Sequence, residues 1–139
     1  MLILEYKLRT KKAQEAAIDE AIRTVQFIRN KCLSRWMDGR GIGDNDLQVY
    51  CAQLAREYPF AARLNSQARQ TSADRAWLSI ARFYKNCREK KPGKKGYPRF
   101  QHDNRSVEYK ATGWRLESDG QRITFTDGMG IGTVRFQTV

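Results

Sequence analysis

The sequence predicts an α+β fold: a small β-barrel or curled antiparallel sheet with a three-helix bundle inserted after the first strand. Three observations carry this. An alternating apolar stretch opens the chain, apolar residues at helical spacing occupy roughly residues 11–88, and a period of two returns from residue 107 onward. One strand cannot stand alone, so the opening stretch needs partners from the end of the chain. The helices then become an insertion. A chain of 139 residues with 40% apolar content suits one compact domain, or two small ones sharing a core. The expected division is a sheet unit of residues 1–9 and 101–139, a helical unit of 10–92, and a connector of 93–100.

In residues 2–9, Leu2, Leu4, Tyr6 and Leu8 alternate with Ile3, Glu5, Lys7 and Arg9, the pattern of a half-buried strand. Thr10 is placed to cap the helix that follows. From Lys11 to Met37 the apolar positions Ile18, Ala21, Ile22, Val25, Ile28, Cys32, Leu33 and Trp36 keep helical spacing, and Gly39, Gly41 and Gly43 end the run. Asp44 or Asn45 opens a second helix, with Leu47, Tyr50, Cys51, Leu54 and Tyr58 on one face and Pro59 closing it. Asn65 or Ser66 opens a third, which turns Ala73, Ala76, Trp77, Ile80, Ala81, Tyr84 and Cys87 inward. The closing region reads as short strands. Val107 and Tyr109 alternate with Glu108 and Lys110, and Trp114–Leu116 leads through an Asp119-Gly120 turn to Ile123–Phe125. A loose turn at Gly128–Gly132 precedes a last strand around Val134 and Phe136. The sequence stops inside that strand signal, as a piece of a longer protein would.

Charge decides the class of partner. There are 26 Lys and Arg against 15 Asp and Glu, a net +11. Such an excess favours a polyanion, nucleic acid before an anionic membrane surface, and says nothing about fold. No stretch approaches the ~20 apolar residues of a membrane span. The opening residues are too soon charged for a signal peptide, so a cytoplasmic location is expected. Cys32, Cys51 and Cys87 are widely spaced and form no CxxC pair, which points to reduced thiols rather than a zinc site or disulfides.

The cations concentrate between Lys85 and Arg99, where seven stand against one anion, Glu89. Pro92, Gly93, Gly96 and Pro98 keep a helix from running through. A basic segment with exposed backbone amides and the aromatic Tyr97 and Phe100 has the parts needed to hold phosphates and stack a base. Its candidate contacts are Lys90, Lys91, Lys94, Lys95, Tyr97 and Arg99. The third helix feeds into it with a stripe of Arg75, Arg82, Lys85 and Arg88, at spacings of seven, three and three. Arg63, Gln67 and Arg69 lie at that helix's start. The first helix adds Arg29, Lys31 and Arg35, and the track continues to Arg105 and Lys110.

Covalent chemistry finds no support in the residues. His102, the one histidine, sits beside Asp103 in a polar stretch, and the carboxylates are scattered. A two-metal nuclease needs acids converging from strand ends. Gly128-Met129-Gly130-Ile131-Gly132 lacks the Lys-Ser/Thr and following helix of a phosphate loop. The expected catalytic residues, metal ligands and cofactors in this chain are therefore none.

Three segments, taken together, resemble the N-terminal half of transposon-encoded OrfB/TnpB RNA-guided nucleases. The first runs from Leu4-Glu5-Tyr6-Lys7-Leu8-Arg9 through Phe27-Ile28-Arg29-Asn30, similar to the family's "lyPt" strand end and "FvyN" helix. The second is Asn65-Ser66-Gln67 through Asp74-Arg75-Ala76-Trp77. The third, Lys95-Gly96-Tyr97-Pro98-Arg99-Phe100 with Ser106-Val107-Glu108-Tyr109, is similar to "kkGyPrFk…Sfry", the most specific signature in that half. Lys11 stands where the family's proline is common, Arg29 replaces a Tyr, and the third helix is longer. The RuvC-like nuclease core and four-Cys zinc ribbon that follow this region in the family have no counterpart in the sequence. The resemblance implies a wedge-like β-barrel with an inserted helical recognition domain, binding a structured guide RNA and a short motif in double-stranded DNA. A RuvC nuclease domain or partner chain would supply cleavage. By position, Arg63 and Gln67 match the start of the helix facing that motif, and Tyr97 and Arg99 match the GyPrF segment, with Arg99 expected to contact phosphate. Phe100 falls in the same segment, as core or as contact. Two rival readings remain: a nuclease-lacking repressor or accessory subunit, and a structural or protein-interaction module.

Overall fold

A computed structural model describes residues 1–138. The chain is mixed α and β. Strands β1 (Tyr6–Arg9), β2 (Trp114–Leu116), β3 (Arg122–Phe125) and β4 (Gly132–Thr138) form one antiparallel sheet in the order β1-β4-β3-β2. The first strand therefore pairs with the last, as the two-period pattern requires. The helices α1 (Lys12–Asp38), α2 (Asp44–Glu57), α3 (Pro59–Ala62) and α4 (Ser66–Arg88) lie between β1 and β2 in the chain.

Several expectations are corrected. The sheet does not close into a barrel, because β1 and β2 are opposite edges. Pairing begins at Tyr6 rather than Leu2, and Leu2 and Leu4 are exposed. Alternation states a preference for a sheet; among the described residues Leu2–Glu5 has no strand to pair with. Residues 107–110 form no strand, although Val107 and Tyr109 are partly buried and Glu108 and Lys110 exposed. Lys11, not Thr10, is the residue before α1, and its N–H donates to Gln14 Oε1 at 3.0 Å. Cys87 and Tyr84 are exposed because the last turns of α4 run beyond the core. Pro59 closes α2 and also starts the short α3 at its first turn, where its missing N–H costs nothing.

Elsewhere the local chemistry acts as expected. The Asn65 side chain accepts from the N–H groups of Gln67 and Ala68, so Asn65 caps α4. The start of α2 differs: Gly43, not Asp44 or Asn45, is the residue before the helix, and its N–H donates to Asp46 Oδ2 at 2.8 Å. Gly120 turns the β2–β3 hairpin at φ 68°. The core is one cluster spanning both classes of element: Ile28 and Leu33 of α1, Leu47 and Leu54 of α2, and Ile80 of α4 join Met129, Ile131 and Val134.

Register fixes the faces of the sheet. Leu8 opposes Phe136, Ile123 opposes Val134 and Leu116, and Trp114 opposes Phe125, so one face is apolar. Val134 and Phe125 reach the core. Beyond them Leu4, Leu8, Trp114, Leu116 and Phe136 rim an open apolar hollow of about 400 Å³.

Candidate nucleic-acid interface

The connector is docked by side chains rather than by a ladder. Asn86 of α4 donates to Lys95 O at 3.0 Å. Arg29 of α1 donates to Arg99 O at 2.7 Å, and also to Asn30 Oδ1 and Ser79 Oγ. Asn30 binds Gln101 twice, donating to its carbonyl at 2.8 Å and accepting from its N–H at 2.9 Å. One turn earlier on the same face of α1, Gln26 accepts from Asn104 N–H at 3.0 Å, and Asn104 donates to Ile22 O. Arg75 of α4 donates to Ser106 O at 3.0 Å. Between residues 95 and 106 the carbonyls of Lys95, Arg99, Gln101 and Ser106 and the N–H groups of Gln101 and Asn104 are thus held by side chains. Buried backbone groups need partners; here helix side chains supply them.

A second tie closes the region. Asp127 accepts from Asn65 N–H and Tyr109 OH, both at 2.8 Å, and from Met129 N–H at 3.2 Å. It joins the start of α4, the connector and the glycine loop. Burial, then the bond to Asp127, pushes the Tyr109 hydroxyl above its ordinary range. Gly128 lets the loop pass close to Arg63, where a Cβ would lie 3.2 Å from Arg63 Cα.

This architecture divides the expected contact residues. Four are clamps. Arg29 is only 9% exposed, and burial lowers its pKa. Arg75 holds Asn104 and Ser106, and Arg69 donates to the carbonyls of Leu64 and Ala62. Gln67 Oε1 accepts from both the N–H and the hydroxyl of Thr112, at 3.2 and 3.0 Å. A base-reading Gln needs its amide oxygen and nitrogen together; in Gln67 the oxygen is already committed. Lys31 lies over the rings of Phe27 and Tyr58, and Arg35 over Tyr50.

The rest face outward. Arg82, Lys85 and Arg88 are exposed along α4, and Lys90, Lys91 and Lys94 continue past its end. Lys95 is half-buried; Arg63, Arg99, Arg105 and Lys110 are exposed. Among the described residues only Lys91 of these has an ion-pair partner, Glu89 at 3.7 Å. Lys90 makes the turn by adopting φ 51°, while Lys91 N–H donates back to Asn86 O. This is the position of a helix end where glycine is usual.

Beside this cation series stands an aromatic cluster in which Trp36, packed against the core, and the exposed Tyr84 meet Phe83 and Tyr97. Tyr97 is 54% exposed, edge-on to Phe83 at 5.1 Å and tilted against Trp36 at 5.7 Å. Trp36 Nε1 donates to Tyr84 OH at 2.8 Å. Trp36, Tyr84 and Tyr97 line a groove of about 320 Å³ with Arg40, a cation the sequence reading passed over. Its signal was faint, a lone Arg between two glycines. Phe100 is 44% exposed and lines a separate hollow on α1 with Phe27 and Lys31, so it is not core. His102 and Asp103 are exposed. Among the described residues no three His, Cys, Asp or Glu side chains gather to hold a metal, and no helix is long and apolar enough to cross a membrane. Neither a protein-family model nor a curated protein matches the chain. The arrangement offers fixed positive charge, an exposed ring and a connector held by helix side chains.

Proposed function

We propose that this chain is a nucleic-acid-binding region that grips phosphates along α4 and the connector. The observation carrying the reading is the run of outward cations from Arg82 to Lys94, nearly free of protein anions and flanked by the exposed ring of Tyr97. Lys and Arg along such a track release counterions from the bound strand, and an exposed aromatic ring offers a stacking platform to any base. The resemblance to OrfB/TnpB proteins names the ligands: a structured guide RNA, and a double-stranded DNA motif met by Arg63 at the start of α4. Cleavage then belongs to a RuvC domain or partner chain, and this region supplies recognition. A nuclease-lacking repressor or accessory subunit would use the same surface.

A salt titration of binding to a structured RNA, a single-stranded DNA and a duplex DNA tests this. Engaging five phosphates should lower log K by roughly 3.5–4.5 per decade of salt. Arg82→Ala and Lys94→Ala should each weaken binding for all sequences and reduce that slope by about one contact. Absence of binding at low salt would end the proposal. One observation favours a second reading, a protein-interaction module: the apolar hollow of the open sheet. Such a module would show no salt-governed affinity for any of the three probes.

A further inference from the structure

The face of the sheet opposite the apolar hollow carries an arrangement the helical track does not explain. In the ladder Arg9 of β1 lies directly opposite Arg135 of β4, and Arg135 lies directly opposite Arg122 of β3. Residues in direct register share a face, with Cβ atoms about 5 Å apart. Three arginines therefore form a row across three adjacent strands, spanning roughly 10 Å. Like charges directly opposite one another destabilise a sheet, so the row works against the fold that displays it.

The flanking groups relieve this only at its ends. Arg122 is held by Asp119 at 2.8 Å, and Arg9 donates to Gln137 Oε1 at 2.9 Å. Arg135, in the middle, is exposed and has neither an ion pair nor a side-chain hydrogen bond among the described residues. The row borders an open hollow of about 440 Å³, whose wall is completed by Lys11, Gln14 and Thr133. Gln14 ties that wall down by donating to Ile131 O and Thr133 O. The first turn of α1 thus stands beside the arginines, bringing the positive end of a 27-residue helix to the same hollow.

We propose that the row of Arg9, Arg135 and Arg122 is a second phosphate-binding surface, which takes the sugar-phosphate backbone of a nucleic acid strand. Successive phosphates of one strand are spaced about 3.4 Å along the axis of a duplex, so a 10 Å row can meet more than one. Arginine suits the task, since its planar fork pairs with phosphate oxygens in bidentate fashion. A membrane surface fits less well. A protein lying on lipid presents cations and apolar side chains together, whereas here Leu8 and Phe136 point away from the arginine face. The inference takes its ligand class from the proposed function, but its residues are separate from the α4 track.

The test pairs Arg135→Gln with Arg135→Lys in the full chain. The readouts are thermal unfolding at low salt and a salt titration of binding to an RNA hairpin and a single-stranded RNA of about 20 nucleotides. Arg135→Gln should unfold at the same or a higher temperature, since it removes two like-charge contacts, while affinity falls severalfold and the salt slope drops by about 0.7–0.9. Arg135→Lys should keep the slope. A lower unfolding temperature for Arg135→Gln would make Arg135 a structural residue and overturn the inference. So would unchanged binding by Arg135→Gln alongside weakened binding by Arg82→Ala, a result that leaves the α4 reading intact. Failure of the unaltered chain to bind either RNA would overturn both, as would binding confined to anionic phosphatidylserine vesicles.

Discussion

Replacing Asn30 by Ala probes the docking of the connector most directly. The side chain makes a reciprocal pair with Gln101, 2.8 Å to its carbonyl and 2.9 Å from its N–H, and also accepts from Arg29. Each neutral hydrogen bond contributes a net ~0.5–1.5 kcal/mol, and a partner left unsatisfied in a part-buried site raises the cost. Removal of the pair should therefore destabilise by about 2 kcal/mol. For a domain of this length that corresponds to a fall in Tm of roughly 6–10 °C. Hydrogen exchange localises the effect: the Gln101 and Asn104 amides should lose protection before those of α1. Asn30→Asp keeps the acceptor for the Gln101 N–H but loses the donor to its carbonyl, and should show about half the loss. Nucleic-acid affinity should fall with an unchanged salt slope, because no cation is removed and only the fixed presentation of the connector is lost. Wild-type protection at Gln101 in the Ala variant, with Tm within about 1 °C, would refute the claim that helix side chains hold the connector.

Gln67→Ala should lower stability by ~0.5–1.5 kcal/mol through the lost Thr112 contacts and leave base preference unchanged in a panel of duplex sequences; altered preference would restore Gln67 as a reader. Lys90→Gly should raise stability by ~0.5–1 kcal/mol in denaturant melts, since φ 51° suits glycine better than lysine. Cys87 should be the one thiol of the folded protein that reacts rapidly with a disulfide reagent, because Cys32 and Cys51 are buried and burial pushes the Cys32 thiol up to about 12. Tyr109 keeps its proton in the fold, whereas in the unfolded chain it ionises near pH 10. Unfolding therefore releases a proton at high pH, and stability falls as pH rises through ~10. Tyr109→Phe should flatten that part of the pH profile of the denaturant midpoint.

The helices were legible because their signals are local. Apolar residues such as Val25, Ile28 and Cys32 recur along one face, and Asn65 caps within three residues of its own position. The strands were legible as preferences only. Leu2 and Leu4 alternate as well as Tyr6 and Leu8, yet a ladder needs a neighbour, and no residue of the pattern itself records how far β4 reaches. Val107 and Tyr109 kept the burial that alternation implies without becoming a strand. The clamps were illegible for a different reason. Asn30 and Gln101, Arg75 and Ser106, or Tyr109 and Asp127 are polar residues of ordinary surface type, far apart in sequence in the first case. Arg29, Gln67, Arg69 and Arg75 counted toward a charged or polar surface by residue type, but their partners are carbonyls and hydroxyls that no spacing rule identifies. The arginine row depends on register, which alternation alone leaves open.

The pairing of β1 with β4 also sets an order of events. Arg9 and Gln137 meet across 128 positions, whereas the contacts among α1, α2 and α4 join segments within the first 88 residues. Closing so long a loop is entropically costly, and pairings of that separation form slowly. During synthesis the helices emerge before β4 and can collapse on one another while β1 still lacks that neighbour. For that interval Leu4, Tyr6 and Leu8 form an unpaired apolar edge, the kind of segment that recruits a strand from another molecule. The sheet is the part of this fold most exposed to chaperone capture and to misassembly.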